Sequence, residues 1–237
     1  NFFKFSCSLD SDQNIKLRQL KESGFLKESY CDESSFNSLC EIVKGLINDK
    51  GNQERISNEN IVYIKEDVLL NNEHIVKFIE EFKFKKIVDS YLGGRSHVAG
   101  VSVWRSYPTN DNAVNAQQFH RDFDGLKWIK VFLYLNDVNT SGGPHSFIEG
   151  SHKSSIFKKF QRISDQSLLT HKLQEVVLTG DKGTLIIEDT YGIHKGNVPR
   201  SSERTILQIV FSLNRVPFKS YSKISHLKDY KTWKFYK

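Results

Sequence analysis

Methionine is missing from this chain altogether, an initiator included, and no run of about 18 apolar residues occurs in it. The first absence makes spacings within one motif safer guides than spacings across loops. The second excludes a membrane-spanning helix, because Lys, Asp or Asn interrupts each candidate run. The opening NFFKFSCSL is too short and too poorly flanked for a signal peptide, so a cytoplasmic location is expected. Cysteine is scarce. Cys7, Cys31 and Cys40 are odd in number and lack zinc-finger spacing, which argues for reduced, structural thiols rather than a disulfide framework. Acid is scarce in one place only: Arg215 to Lys237 holds seven basic residues against the single acid Asp229. Subtracting these from the totals of 34 and 28 leaves 27 of each sign in the other 214 residues, so the tail carries the whole net charge of +6. Basic residues interleaved with aromatics can touch phosphate, but a solvated segment whose Tyr221, Trp233 and Phe235 pack back on the domain is the preferred reading. A nucleic-acid partner is not expected, nor is a membrane.

The 237 residues have the ordinary apolar share, 38%, of a soluble globular chain and can bury a real core. They read as one domain over 1–237, without repeats or low-complexity segments. Its parts are a mainly helical portion over 1–94, a β core over 95–214 and the basic tail over 215–237. In SSFNSLCEIVKGLIND the apolar Phe36, Leu39, Ile42, Val43, Leu46 and Ile47 recur at helical steps behind a Ser34 or Ser35 cap. NNEHIVKFIEEFKFKKIVDSYLGG reads the same way, as one amphipathic helix stopped by its glycine pair. From Ser96 onward the runs shorten. HVAGVSVWRSY, LKWIKVFLYLND, LQEVVLTG, GTLIIED and RTILQIVFSLN are strand-length, β-branched or aromatic, and bounded by turn formers. The fold class is therefore mainly β with flanking α-helices, a sandwich or barrel with the helices packed outside.

Chemistry enters at QQFHRDFDG. In a strand, residues two apart share a face, so His120 and Asp122 project side by side while Phe119, Arg121 and Phe123 face the other way. An imidazole nitrogen and a carboxylate oxygen on one face are two ligands for a divalent metal. A further histidine completes the two-histidine, one-carboxylate set that suits non-haem Fe(II). The tripeptide alone is weak, because 8 histidines and 14 aspartates produce it by chance in roughly half of such chains. Context carries it: TYGIHKGN presents His194 at the end of one strand, and ten residues later Arg204 opens the next. A buried guanidinium needs an anion, and its planar fork matches a carboxylate, so a dicarboxylate is its natural partner.

QQFHRDFDG, GGPHSFIEGSHK and GTLIIEDTYGIHKGNVPRSSERTILQIVFS together resemble the phytanoyl-CoA dioxygenase family of Fe(II)/2-oxoglutarate oxygenases, which includes the ectoine hydroxylases. The similarity extends weakly to LKESGFLKES and IVDSYLGG and covers about residues 16 to 214. It implies a double-stranded β-helix, a cupin-like jelly roll flanked by helices. It implies that His120, Asp122 and His194 bind iron and that Arg204 holds the distal carboxylate of 2-oxoglutarate, with Arg200 as a lesser competitor in an exposed turn. Two further assignments stand against plain packing roles: Arg105 near cosubstrate or substrate, and Tyr134 as a hydrogen-bond donor to the cosubstrate carboxylate. His145 and His152 fall in a stretch that shapes the pocket entrance, which makes them turn and wall residues. Glu149 departs from the family's usual proline and faces substrate or solvent.

The resemblance implies turnover of 2-oxoglutarate and O2 to succinate and CO2, coupled to oxidation of a small metabolite or natural-product intermediate. Related halogenases replace the Asp122 carboxylate with a small residue, so its presence favours hydroxylation. The alternatives are a non-catalytic cupin-like protein that binds metal or ligand, and zinc-assisted hydrolysis, neither of which requires Arg204.

Overall fold

The computed structural model describes residues 7–30, 33–55, 60–157 and 161–213. The basic tail, with Tyr221, Trp233 and Phe235, and Cys31 lie outside the described residues. Helix α1 (Ser11–Ser23) starts where the Asp10 carboxylate accepts from the Gln13 backbone N–H at 2.8 Å and stops at Gly24, whose φ of 88° most side chains would resist. Strand β1 (Phe25–Ser29) follows directly. Helix α2 (Glu33–Asn48) buries Phe36, Leu39, Val43 and Ile47, one stripe of the expected periodicity. Strands β2 (Gln53–Arg55) and β3 (Ile61–Ile64) form a short antiparallel pair. Helices α3 (Glu66–Leu70), α4 (Glu73–Glu80) and α5 (Lys85–Leu92) complete the first part of the chain.

Two features differ from the sequence reading. The helix read across NNEHIVKFIEEFKFKKIVDSYLGG is two, because Phe82 and Phe84, two apart, are both buried; one straight helix cannot turn both inward. The portion before residue 95 also supplies β1, β2 and β3, whose short alternating runs the helical reading passed over.

Then come β4 (His97–Ser106), β5 (Trp128–Tyr134), β6 (His145–Ile148), α6 (Asp165–Thr170), β7 (Glu175–Leu178), β8 (Thr184–Glu188), β9 (His194–Gly196) and β10 (Arg204–Ser212). Seven strands form one antiparallel sheet in the order β1-β8-β5-β10-β4-β3-β2, and three form a second in the order β7-β6-β9. Alternation sorts the large sheet's side chains onto two faces. Val101, Val103, Val131, Leu133, Leu207 and Ile209 join the main core with α1 to α5. Their neighbours Trp104, Lys130, Phe132, Arg204, Ile206 and Gln208 turn the other way, toward the small sheet. Mainly antiparallel sheets facing each other, with helices outside one of them, make a double-stranded β-helix of the jelly-roll, cupin-like kind. Among the described residues no helix is long and apolar enough to cross a membrane.

Candidate metal centre

His120 and His194 face each other as a cross-strand pair. Each backbone N–H donates to the other's carbonyl, at 2.9 and 3.0 Å, so both imidazoles leave the backbone on the same side, with ring centroids 4.3 Å apart. FHRDF makes two isolated bridges here, Phe119 to Ile163 and His120 to His194, rather than a full strand, yet His120 and Asp122 still share a side. Arg121 turns away and is buried, its guanidinium donating to the Ile156 and Phe157 carbonyls at 2.8 and 3.1 Å, and the Asp122 N–H donates to the Thr190 carbonyl at 2.9 Å. Those bonds fix the turn on which Asp122 stands.

The triad converges on Nε2. His120 Nδ1 lies 2.8 Å from the Gln118 carbonyl and His194 Nδ1 lies 3.0 Å from the Gly192 carbonyl, contacts that place the ring proton on Nδ1 in each neutral imidazole. The Nε2 lone pairs are thereby free, 3.5 Å and 3.4 Å from the two oxygens of Asp122. These three side chains can jointly hold a metal ion. Two imidazole nitrogens and one carboxylate, with the remaining coordination positions open to a cavity, fit the donor set of non-haem iron.

Charges around the triad are strongly coupled. Burial alone would raise the Asp122 carboxyl, but Lys130, His194 and His120 outweigh it and hold the carboxyl well below its ordinary range. Burial likewise opposes the proton on His194, and Asp122 overcomes it; for His120 burial wins and the imidazole is pushed down. Lys130 comes from the inner face of β5. Its ammonium sits 2.6 Å from Asp122 Oδ2 and 2.8 Å from Asp124 Oδ2, and these carboxylates keep its pKa up against burial.

A cavity of about 210 Å³ opens from the triad and runs past Phe132 and Ile206 to Arg204. Arg204 is 4% exposed. Its guanidinium donates to the Gly143 carbonyl, its Nε has no partner, and among the described residues no carboxylate pairs with it. Gly143 lets its own segment pack against 197–199: its φ is +74°, and a Cβ there would meet the Asn197 carbonyl oxygen at 2.5 Å; beside the guanidinium it is Gly196 that leaves room, a Cβ there lying 3.3 Å from Arg204 Nη2.

The other candidates lie elsewhere. Arg105 is carried to the outer face by strand alternation, since Trp104 on the same strand faces the cavity. It bonds the Asn48 side chain at 3.1 Å and Thr205 Oγ1 at 3.2 Å, and pairs with Glu203 at 3.4 Å. It therefore does not reach the cavity, which corrects its expected place near the cosubstrate. Tyr134 is fully buried with its hydroxyl engaged on both sides: it donates to the Leu178 carbonyl at 2.8 Å and accepts from the His145 N–H at 2.9 Å. That leaves it a brace between the sheets rather than a free donor. Arg200 is exposed and donates to the carbonyls of Thr109 and Asp111, away from the cavity. Glu149 accepts from the Ser23 hydroxyl at 2.8 Å. His152 Nε2 contacts the Lys21 carbonyl at 3.1 Å, also remote from the triad.

Two residues that the motifs left out or demoted stand beside the triad. Glu188, at the end of TLIIE, is fully buried with neither oxygen hydrogen-bonded, and burial raises its carboxyl to about 8. His145 lines the cavity, and its Nε2 lies 3.6 Å from Glu188 without a hydrogen bond. A lone acid closing an otherwise apolar strand was the available signal for Glu188, as a lysine inside WIKVFLY was for Lys130.

No protein-family model and no curated protein sequence matches the chain. Solved structures match its fold. The non-haem, α-ketoglutarate-dependent carbocyclase SnoK from nogalamycin biosynthesis superposes with a TM-score of 0.69 at 14% identity, over 86% of this chain and 84% of that one. Iron-bound EctD from S. alaskensis gives 0.68 at 14% identity, over 89% and 80%. HygX from Streptomyces hygroscopicus, solved with nickel, 2-oxoglutarate and hygromycin B, gives 0.61 at 12% identity, over 90% of each chain.

Proposed function

We propose that this chain is an Fe(II)- and 2-oxoglutarate-dependent dioxygenase that hydroxylates a small metabolite or natural-product intermediate, releasing succinate and CO2. The observation that carries the reading is one cavity joining His120, Asp122 and His194 to a buried guanidinium that pairs with no carboxylate among the described residues. A zinc hydrolase or a plain metal-binding cupin has no use for that guanidinium, whereas a diacid that reaches the metal with one end needs it at the other. The iron or 2-oxoglutarate named for several similar folds supports the reading.

In this reading His120, Asp122 and His194 hold Fe(II), with O2 as the second cosubstrate. Bound there, the iron supplies the redox chemistry that couples O2 reduction to decarboxylation of the 2-oxo acid and oxidation of a C–H bond. The chain's own residues do the rest. The Gln118 and Gly192 carbonyls hold the two imidazoles with Nε2 presented, and Lys130 steadies one Asp122 oxygen. Arg204 orients the diacid, and Phe132 and Ile206 exclude water beside it.

Under air, with Fe(II) and 2-oxoglutarate, the purified protein is expected to form succinate even without its primary substrate, and Asp122→Ala and Arg204→Ala to form none. No succinate together with no Fe(II)-dependent binding of 2-oxoglutarate would overturn the reading in favour of a non-catalytic cupin-like protein. A substrate screen of the active protein, with products resolved by mass spectrometry, then separates hydroxylation from ring closure or epimerisation.

A further inference from the structure

We propose that His145 is a second protein hydrogen-bond donor to the 2-oxo dicarboxylate beside Arg204, donating from Nδ1, and that Glu188 behind it is a positioning residue. The inference rests on the 2-oxoglutarate reading above and adds residues that the motif leaves out.

His145 stands between the two ends of the cavity. Its ring centroid lies 5.6 Å from that of the metal-side His194 and 4.4 Å from that of Phe132, which it meets edge to face. Its backbone is tied to the other end: the His145 N–H donates to the Tyr134 hydroxyl, and Gly143, two residues earlier, accepts from Arg204. An imidazole on that segment faces whatever spans from the metal to the guanidinium.

The ring has no hydrogen bond of its own. Nε2 is buried and unpartnered, as are both oxygens of Glu188, 3.6 Å away at the nearest. Buried polar groups left unpaired are costly, and a native chain keeps them where a ligand or water completes the set. The two ring nitrogens point away from each other, so with Nε2 turned to Glu188, Nδ1 is the nitrogen left for the cavity. Glu188 itself does not line the cavity. It can act on a ligand only through the ring in front of it.

The ligand is an anion rather than a second cation. His145, Glu188 and His194 do offer three donor atoms within 4.8 Å of one another. Two facts oppose a metal there. His194 Nδ1 is committed to the Gly192 carbonyl at 3.0 Å, and Arg204 and Lys130 already place two fixed positive charges in the cavity. A neutral imidazole N–H beside a guanidinium is a second donor for one carboxylate, and the pair would distinguish a diacid from a monoacid.

The test is calorimetric titration of 2-oxoglutarate into Fe(II)-loaded protein under argon, where turnover cannot start. His145→Phe keeps the ring volume and removes the donor; its dissociation constant is expected to rise about tenfold to a hundredfold, the value of one buried hydrogen bond to a charged group. His145→Asn, whose amide N–H lies near the Nδ1 position, is expected to recover most of that loss. Glu188→Leu, which leaves His145 Nε2 facing no polar group, should weaken binding in the wild-type background and add nothing in the His145→Phe background, whereas a merely structural role would add in both. Fe(II) affinity and melting temperature, measured on the same variants, report folding. Binding by His145→Phe equal to wild type, with wild type binding normally, overturns the role of His145 alone; if that variant is unfolded, His145→Leu, which also lacks the donor, takes its place under the same criterion. A full extra effect of Glu188→Leu on top of His145→Phe overturns the role of Glu188. Absence of 2-oxoglutarate binding by wild type overturns the functional reading and this inference together.

Discussion

Lys130 Nζ lies 2.6 Å from Asp122 Oδ2, the oxygen that also faces His194 Nε2 at 3.4 Å. The Asp122 carboxylate is thus already neutralised by a fixed ammonium that is itself buried, and a metal entering the triad would have to share Asp122 with it. Removing the ammonium leaves a buried carboxylate with one fewer cation, a loss of about 3 kcal/mol or more. Lys130→Met is therefore expected to lower the melting temperature of the metal-free protein, and added Mn(II) to raise it by more than it raises wild type, because the metal takes over the pairing. An equal metal-dependent shift in both proteins, read by scanning calorimetry, would show that Lys130 and the metal do not compete.

Glu188 sets a pH dependence of known sign. Its carboxyl, ordinarily near 4.5, is raised to about 8 by burial, so between these values the folded chain keeps a proton that the unfolded chain has released. Folding then binds protons, and stability falls as pH rises through that window by up to about 1.4 kcal/mol per unit. Glu188→Gln removes the dependence. Urea denaturation of metal-free protein at about pH 5 and about pH 8 should show a stability gain over wild type that is small at the lower pH and larger at the higher. A gain independent of pH would refute burial as the cause.

The contrast between Asp122 and Glu188 shows what a sequence makes legible. His120, Asp122, His194 and Arg204 were readable because a motif and a strand boundary fix their neighbours locally, and a cross-strand bridge then brings the two histidines together. The five core strands were readable for the same reason, each being a short β-branched or aromatic run between turn formers. Lys130 and Glu188 are single polar residues in apolar runs, and whether such a residue faces helices or cavity depends on strand register, which no local pattern sets. Arg105 illustrates the cost: one position along from Trp104, it lands on the opposite face. The break between α4 and α5 was legible in the Phe82–Phe84 spacing, but helical periodicity on both sides masked it.

Tyr134→Phe separates bracing from ligand binding. The lost hydroxyl leaves the Leu178 carbonyl and the His145 N–H without their partner, at a cost of about 1–3 kcal/mol in stability. Because the hydroxyl already serves two backbone groups, affinity for 2-oxoglutarate should fall less than in Arg204→Met. A loss of affinity as large as that of Arg204→Met, with stability unchanged, would return Tyr134 to the cosubstrate site.

Arg105→Met and Arg204→Met make a matched pair, one strand apart in register and on opposite faces of the sheet. Arg105 is paired with a half-exposed Glu203, so its truncation should cost no more than about 1 kcal/mol and leave 2-oxoglutarate affinity and succinate formation near wild type. Arg204 has no anionic partner among the described residues, so methionine in its place relieves a buried charge and should leave the protein as stable as wild type or more so, while removing the anion's counter-charge. Retained stability with lost 2-oxoglutarate binding is the signature of a residue kept for its ligand. A strong destabilisation by Arg204→Met, measured by thermal melting alongside the titration, would instead make the guanidinium a structural group and remove the main support for a diacid in the cavity.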